Sequence, residues 1–280
     1  MKFFNLIFII SGIILGSTPC YAQFGGGSKA IRKIKETELL VVLDPVYGDA
    51  YNEEIQNAVK TYWTFTPYRF ISGPQYKKYC KDPKYSFLSR FDVVEASVVD
   101  EKITFLGIIQ GGRCGQDVGD FAAYFNLWVW GEKAYAVECV RTVQILQNYL
   151  KMGIEKEIPA LKNWEDVQKL YNRNKSRLNN KEWLLQTADV LAEYQDIRKI
   201  RDYYKRGKVR FAEFDEIDAA IKANNDDVVY HQLCYDSEGY RFHTWFSARN
   251  SEILYMRQAQ RKDRVLLGKE TFKAAEESTP

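Results

Sequence analysis

The sequence predicts an α+β protein made of two tandem, homologous helix-on-sheet domains that arose by internal duplication. Three observations lead there. One order of signals, strand–helix–strand–helix–hairpin, occurs twice, and that order packs helices onto a sheet. The stretch from Val59 to Leu88 also returns in degraded form further along the chain. Shifted by 141 positions, Val59 falls on Ile200, Tyr62 and Trp63 on Tyr203 and Tyr204, and Phe70 on Phe211, while Tyr76, Tyr79 and Cys80 fall on Ile217, Ala220 and Ile221. A two-residue insertion then makes the offset 143, placing Tyr85 on Val228 and Phe87 on Tyr230. Apolar and aromatic positions persist while surface positions drift, as two copies of one core pattern should. Finally, 280 residues with 15% aromatic content are enough for two domains of ordinary size.

Residues 1–22 read as a secretory signal peptide. Lys2 is the charged start, Phe3 to Leu15 the apolar run, and cleavage is expected after Ala22. A lipid anchor at Cys20 is the rival, disfavoured by Pro19 immediately before it. No later apolar run is long enough to span a bilayer. Residues 23–37 are expected to be a flexible leader, opening with Gly25, Gly26 and Gly27.

The first domain is expected over 38–152. Leu39 to Leu43 is a continuous apolar run, the mark of a strand buried on both faces. Asn52 is a candidate N-cap for a helix whose Ile55, Ala58, Val59, Tyr62 and Trp63 form one stripe. Pro67 ends that helix, Tyr68 to Ile71 is a short strand, and Pro74 opens a second helix. Tyr85 to Val99 and Glu101 to Ile109 read as paired strands, and Phe121 to Trp130 as another. A helix from about Ala136 closes the unit, with Cys139, Val143, Leu146 and Leu150 on one face.

A helical connector is expected over 153–180, carrying Trp164, Val167, Leu170 and Tyr171 at helical spacing. The second domain, 181–280, repeats the scheme: Trp183 to Val190, a helix from Tyr194 to Arg206, a strand from Val209 to Phe214 and a helix from Asp215 to Asn224. Two strands around Asp236-Ser237-Glu238-Gly239 follow, then a strand from Ser251 to Gln258 and a polar final helix.

The chemistry is sparse. Formal charge is +3, from 40 basic and 37 acidic residues, which argues against a nucleic-acid binder. Cys80, Cys114, Cys139 and Cys234 are candidate disulfide cysteines with three connectivities open, and without a CxxC pair they do not suggest zinc. The only histidines are His231 and His243, on opposite arms of the predicted hairpin. If Asp236 pairs with Gly239, His231 opposes Thr244 and His243 opposes Gln232, which puts the two on opposite faces. No metal or cofactor site is expected.

Gly111 to Asp120 is a glycine-rich loop without the Gly-Lys-Ser/Thr ending of a phosphate loop, and its Asp117 and Asp120 would repel an anion. Cys114 lacks a histidine in its own domain to activate it. Asp44 and Asp49 flank the end of the first strand, where turn and capping roles account for them. Trp128 and Trp130 are candidate stacking platforms for a small molecule or glycan. The strongest charge feature is the run Arg198, Lys199, Arg201, Lys205 and Arg206, a candidate partner-binding face for an envelope protein or an anionic membrane surface. Asn174-Lys175-Ser176 is a glycosylation sequon.

The element order in Leu39 to Ile109, and again in Trp183 to Phe246, resembles small α/β domains of periplasmic accessory proteins such as the amino-terminal domain of the TolB translocation proteins. The resemblance implies an envelope protein that works by binding other proteins and carries over no site residues. The expectation is therefore an exported, non-catalytic binding or scaffold protein of the cell envelope. The alternatives are a hydrolytic or transferase enzyme using Asp carboxylates, and a small-molecule or glycan sensor.

Overall fold

The structure, a computed structural model, describes residues 25–93, 103–112, 121–127, 131–158, 161, 164–235, 241–259 and 266–277. Among these are two five-stranded mixed sheets and eight α-helices. The first unit runs α1 (Ser28–Lys35), β1 (Glu38–Leu43), α2 (Asp49–Tyr62), β2 (Tyr68–Ser72), α3 (Gly73–Tyr79), β3 (Tyr85–Val93), β4 (Ile103–Gln110), β5 (Phe121–Asn126) and α4 (Gly131–Glu155). Next come α5 (Trp164–Asn172), β6 (Glu182–Leu185), α6 (Ile197–Arg201), β7 (Lys208–Phe211), α7 (Phe214–Lys222), β8 (Val228–Tyr235), β9 (Arg241–Ser247), β10 (Ile253–Gln258) and α8 (Lys269–Glu276).

The sheets have one topology. The first is ordered β2-β1-β3-β4-β5 and the second, read from the corresponding edge, β7-β6-β8-β9-β10. In each, the second strand of that order, β1 or β6, is parallel to both neighbours and the last two pairings are antiparallel. The register reproduces the offsets read from sequence. Leu40 pairs with Arg69 and Phe87, and its counterpart Leu184 pairs with Arg210 and Tyr230.

Finer features repeat as well. The β4–β5 ladder is interrupted between Ile108 and Ile109, opposite Ala122, and the β9–β10 ladder between Ile253 and Tyr255, at Leu254. The capping box of Ser72 with Gln75 before α3 recurs as Glu213 with Glu216 before α7. The ion pair Arg69–Glu38 (3.2 Å) recurs as Arg210–Glu182 (3.3 Å). Bulges and caps do not follow from hydrophobic patterning, so their coincidence is what an internal duplication leaves behind.

In the first unit α1, α2 and α4 cover one face of the sheet, burying Leu39, Val41, Leu88, Leu106, Ile108 and Phe125. Tyr76 and Tyr79 of α3 pack on the opposite face, among Leu40, Phe87, Phe105 and Phe121. In the second unit Ile200 of α6 and Phe272 of α8 lie against Trp183, Leu185, Val229 and Trp245. The α7 face, with Leu184, Tyr230, Phe242 and Phe246, belongs to the same continuous core as α4. The units therefore stack front to back, with α4 between them. Arg141 lies over the Phe246 ring, Ser251 Oγ donates to Gln144 Oε1 (2.7 Å), and Asn148 donates to the Asn250 carbonyl (2.8 Å). Each large apolar side chain fully buried at this seam contributes about 1.5–3 kcal/mol.

Several expectations are corrected. The leader over 23–37 is not loose from residue 28 onward, because α1 buries Ile31 and Ile34 against α4 and Gly26 N–H bonds the Ala122 carbonyl (3.0 Å). Asn52 is not an N-cap. The helix starts at Asp49 after Gly48, whose φ of 85° suits glycine, and Asn52 donates to the Asp44 carbonyl instead. The helix expected from Tyr194 to Arg206 is reduced to the five residues of α6, preceded by a 3-10 turn.

Of the candidate disulfide cysteines, Cys80 is disulfide-bonded, whereas Cys139 and Cys234 are free, buried thiols. Cys139 lies on the first-unit side, near Arg90 and Tyr51, and Cys234 lies toward Arg141. Burial pushes both thiols up, Cys234 to about 12. Cys114 lies outside the described residues, as do the signal peptide, Cys20, Asp117, Asp120, Trp128 and Trp130.

Candidate functional site

The two histidines are brought together. In β8 and β9 His231 opposes Trp245 and His243 opposes Leu233, one residue out of the expected register. The described ladder runs to the pair Tyr235 and Arg241, a register one residue away from the one that pairing Asp236 with Gly239 would set. A one-residue slip moves a side chain to the other face, and both imidazoles land on the α8 side.

His231 Nε2 is 3.1 Å from His243 Nδ1, and His231 Nδ1 is 3.1 Å from Asp189 Oδ2. Asp189 ends a 3-10 turn (Thr187–Asp189) that follows β6, as a 3-10 turn (Pro45–Tyr47) follows β1. The chain of groups thus lies beyond the carboxyl end of β6 and beside β8, where the connections leave in opposite directions. That is the place where α/β sheets bind ligands.

The hydrogens follow from chemistry. With one hydrogen on each imidazole, His231 Nδ1–H donates to Asp189, because a carboxylate only accepts, and Nε2 then accepts from His243 Nδ1–H. The ring centroids are 5.3 Å apart, close to the N···N distance plus two ring radii. The nitrogens thus face each other in line, as a hydrogen bond needs, whereas two ligands of one metal ion would converge at an angle. No three His, Cys, Asp or Glu side chains among the described residues form a metal-holding group.

Both histidines are buried, while the Asp189 side chain keeps 25% exposure, so solvent reaches the chain of groups at its carboxylate end. Burial first, then His231 and Arg257, hold the His243 pKa well below the ordinary histidine value. The register assigns Leu88 and Leu106 to the same positions in the first unit, where both are buried apolar residues. The polar chain is therefore peculiar to the second copy.

The basic run is dispersed. Arg198 is tied to Asp196 (2.7 Å), and this hydrogen bond holds the Asp196 carboxyl down at about 2. Arg206 pairs with Glu276 (3.5 Å), and the Lys205 N–H donates to the same carboxylate (3.1 Å). Lys199 and Arg201 are exposed without an ion pair among the described residues. Tyr204 is buried, stacked on Trp183 at 3.7 Å, as its alignment with Trp63 implied.

Asp44 accepts from Val46 N–H (3.0 Å), a turn role, and Asp49 stands in the first turn of α2. The sequon residue Asn174 donates to Glu252 (3.3 Å) and so takes part in packing. A groove of about 240 Å³ between α4 and the β9–β10 turn is lined by Asn148, Lys151, Asn250 and Glu252. It is smaller than a usual ligand pocket.

Each sheet has two edges. Gly26 N–H covers part of the β5 edge, and Asn172 of α5 accepts from Met256 N–H on β10 (2.9 Å). On β7, Lys208 and Ala212 donate inward to the Lys181 and Leu185 carbonyls. Strand alternation turns the Val209 and Phe211 backbone groups outward, where no described segment bonds them. No protein-family model, curated protein or solved structure matches this chain.

Proposed function

We propose that this chain is an exported accessory protein of the cell envelope that binds another protein along β7, steered by the neighbouring basic residues Lys199, Arg201 and Lys205. The observation that carries this reading is the β7 edge, which no described segment covers, beside that charge. An extended acidic segment would add as a strand, with backbone hydrogen bonds supplying affinity and the lysines and arginines supplying encounter rate. The disulfide at Cys80 fits an oxidising compartment, which is where the amino-terminal signal would send the chain.

The test is affinity purification from the native envelope, followed by binding kinetics with any partner recovered. Replacing Arg201 and Lys205 with glutamate is expected to slow association about tenfold at low salt and leave dissociation nearly unchanged. An unchanged association rate removes the basic face from the site. A chain that stays alone under gentle extraction while turning over a glycan or peptide defeats the binding reading.

The Asp189–His231–His243 chain favours a second reading, a hydrolase or transferase in which Asp189 orients His231. It stands behind the first because both imidazoles are buried in the face that α8 covers.

A further inference from the structure

Asp189 does two things at once. Its carboxylate holds His231 on the sheet, and its backbone carbonyl accepts from Leu267 N–H (2.7 Å). Leu191 N–H returns a bond to the Leu267 carbonyl (3.0 Å), and Val190 and Leu267 form an isolated parallel bridge. This seam fastens the C-terminal segment, with α8 and its buried Phe272 and Ala275, over the face that carries both histidines. We infer that Asp189, His231 and His243 form an acid-sensitive latch that holds residues 267–277 on the second sheet and releases them when the histidine pair takes up protons.

The proton inventory explains the direction. With one hydrogen per imidazole, each N···O or N···N contact contains one donor and one acceptor. A first added proton can be shared, since a His231 imidazolium donates both to Asp189 and to a His243 that has moved its hydrogen to Nε2. A second cannot, because two N–H groups would then point at each other across 3.1 Å. Arg257 opposes His243 in the β9–β10 ladder and adds a third cation.

The charged groups of the other packed elements do not compensate. Lys269 and Lys273 of α8 lie over Tyr203, Glu270 acts on Tyr194, and Glu276 is paired with Arg206. Tyr255, opposite Trp245, has its phenol pushed up to about 12 and stays neutral.

The sign follows from His243, whose folded pKa is depressed. Stability of the closed latch is fully present above the ordinary histidine pKa of about 6.5 and is lost as pH falls below it toward the folded value. For one linked proton, the opening constant rises about tenfold between pH 7.5 and 5.5. In the first unit Leu88 and Leu106 fill the matching positions, so that unit has no such response.

The chain contains only two histidines, so their side-chain proton NMR signals are unambiguous. The experiment is an NMR titration of the intact protein from pH 8 to 4.5, with amide exchange of residues 267–277 measured in parallel and corrected for intrinsic rate. Expected is one histidine titrating well below the ordinary value, together with about tenfold loss of protection in 267–277 between pH 7.5 and 5.5 and none in α4. The H231L/H243L variant, which copies the first unit, should keep its protection across that range. Two histidines titrating near 6.5 with unchanged protection would overturn the latch. So would an equal acid response in the leucine variant. If that variant fails to fold, the wild-type titration decides alone.

Discussion

At the scale of single residues, the seam between the units depends on a buried ion pair. Glu138 and Arg141, one turn apart on α4, are both buried and joined by a hydrogen bond, with the guanidinium over Phe246 of the second sheet. Such a pair gives little net stability against an apolar replacement, but removing one partner strands a charge. Arg141→Ala is expected to cost about 3–5 kcal/mol in denaturant unfolding, while the double change Glu138→Leu with Arg141→Met stays near neutral. If the single and double changes cost the same, the pair is not what makes this position sensitive. Residues of this kind were poorly legible in the sequence, where a glutamate and an arginine on a helix look like a solvated face. The histidines were misplaced for a related reason. Face assignment in a hairpin depends on register modulo two, and the register expected from Asp236 and Gly239 differs by one residue from the ladder observed up to Tyr235 and Arg241.

At the scale of elements, long apolar runs and helical stripes were the legible part. Leu39, Leu40 and Val41 of the first apolar run, the stripe of Ile55, Ala58 and Val59, and the face of Cys139, Val143, Leu146 and Leu150 are all buried as spacing implied. What escaped was α1, hidden behind three glycines. Its signal was present, since Ile31 and Ile34 are three apart among lysines and arginines, but two apolar residues make a narrow stripe. The helix is nevertheless part of the core, and Gly153 of α4 leaves the room that Ile31 occupies, for a Cβ there would lie 2.2 Å from Ile31 Cδ1. Ile34→Ala is expected to destabilise the protein by about 2–5 kcal/mol, read as a lower denaturant midpoint at constant slope. A change below half a kcal/mol would mean that α1 is a dispensable arm.

At the scale of the whole molecule, two copies of one unit have been joined through a shared core. Duplication was legible in sequence because core positions drift least, as the pairs Phe70 with Phe211 and Phe87 with Tyr230 show. The front-to-back stacking was not, because nothing local to a strand says which of its two apolar faces meets a helix of its own unit and which meets the neighbouring unit. The difference between the copies carries the functional argument, in the histidines that replace Leu88 and Leu106, whereas the outward backbone groups of Tyr68 and Phe70 on β2 and of Val209 and Phe211 on β7 alike meet no described segment. If α4 does join both sheets in one core, neither unit unfolds ahead of the other at neutral pH. Differential scanning calorimetry of the intact chain at pH 7.5 tests this most directly. The shared core predicts one transition whose calorimetric and van't Hoff enthalpies agree. Two resolved transitions, or a van't Hoff enthalpy near half the calorimetric one, would contradict it.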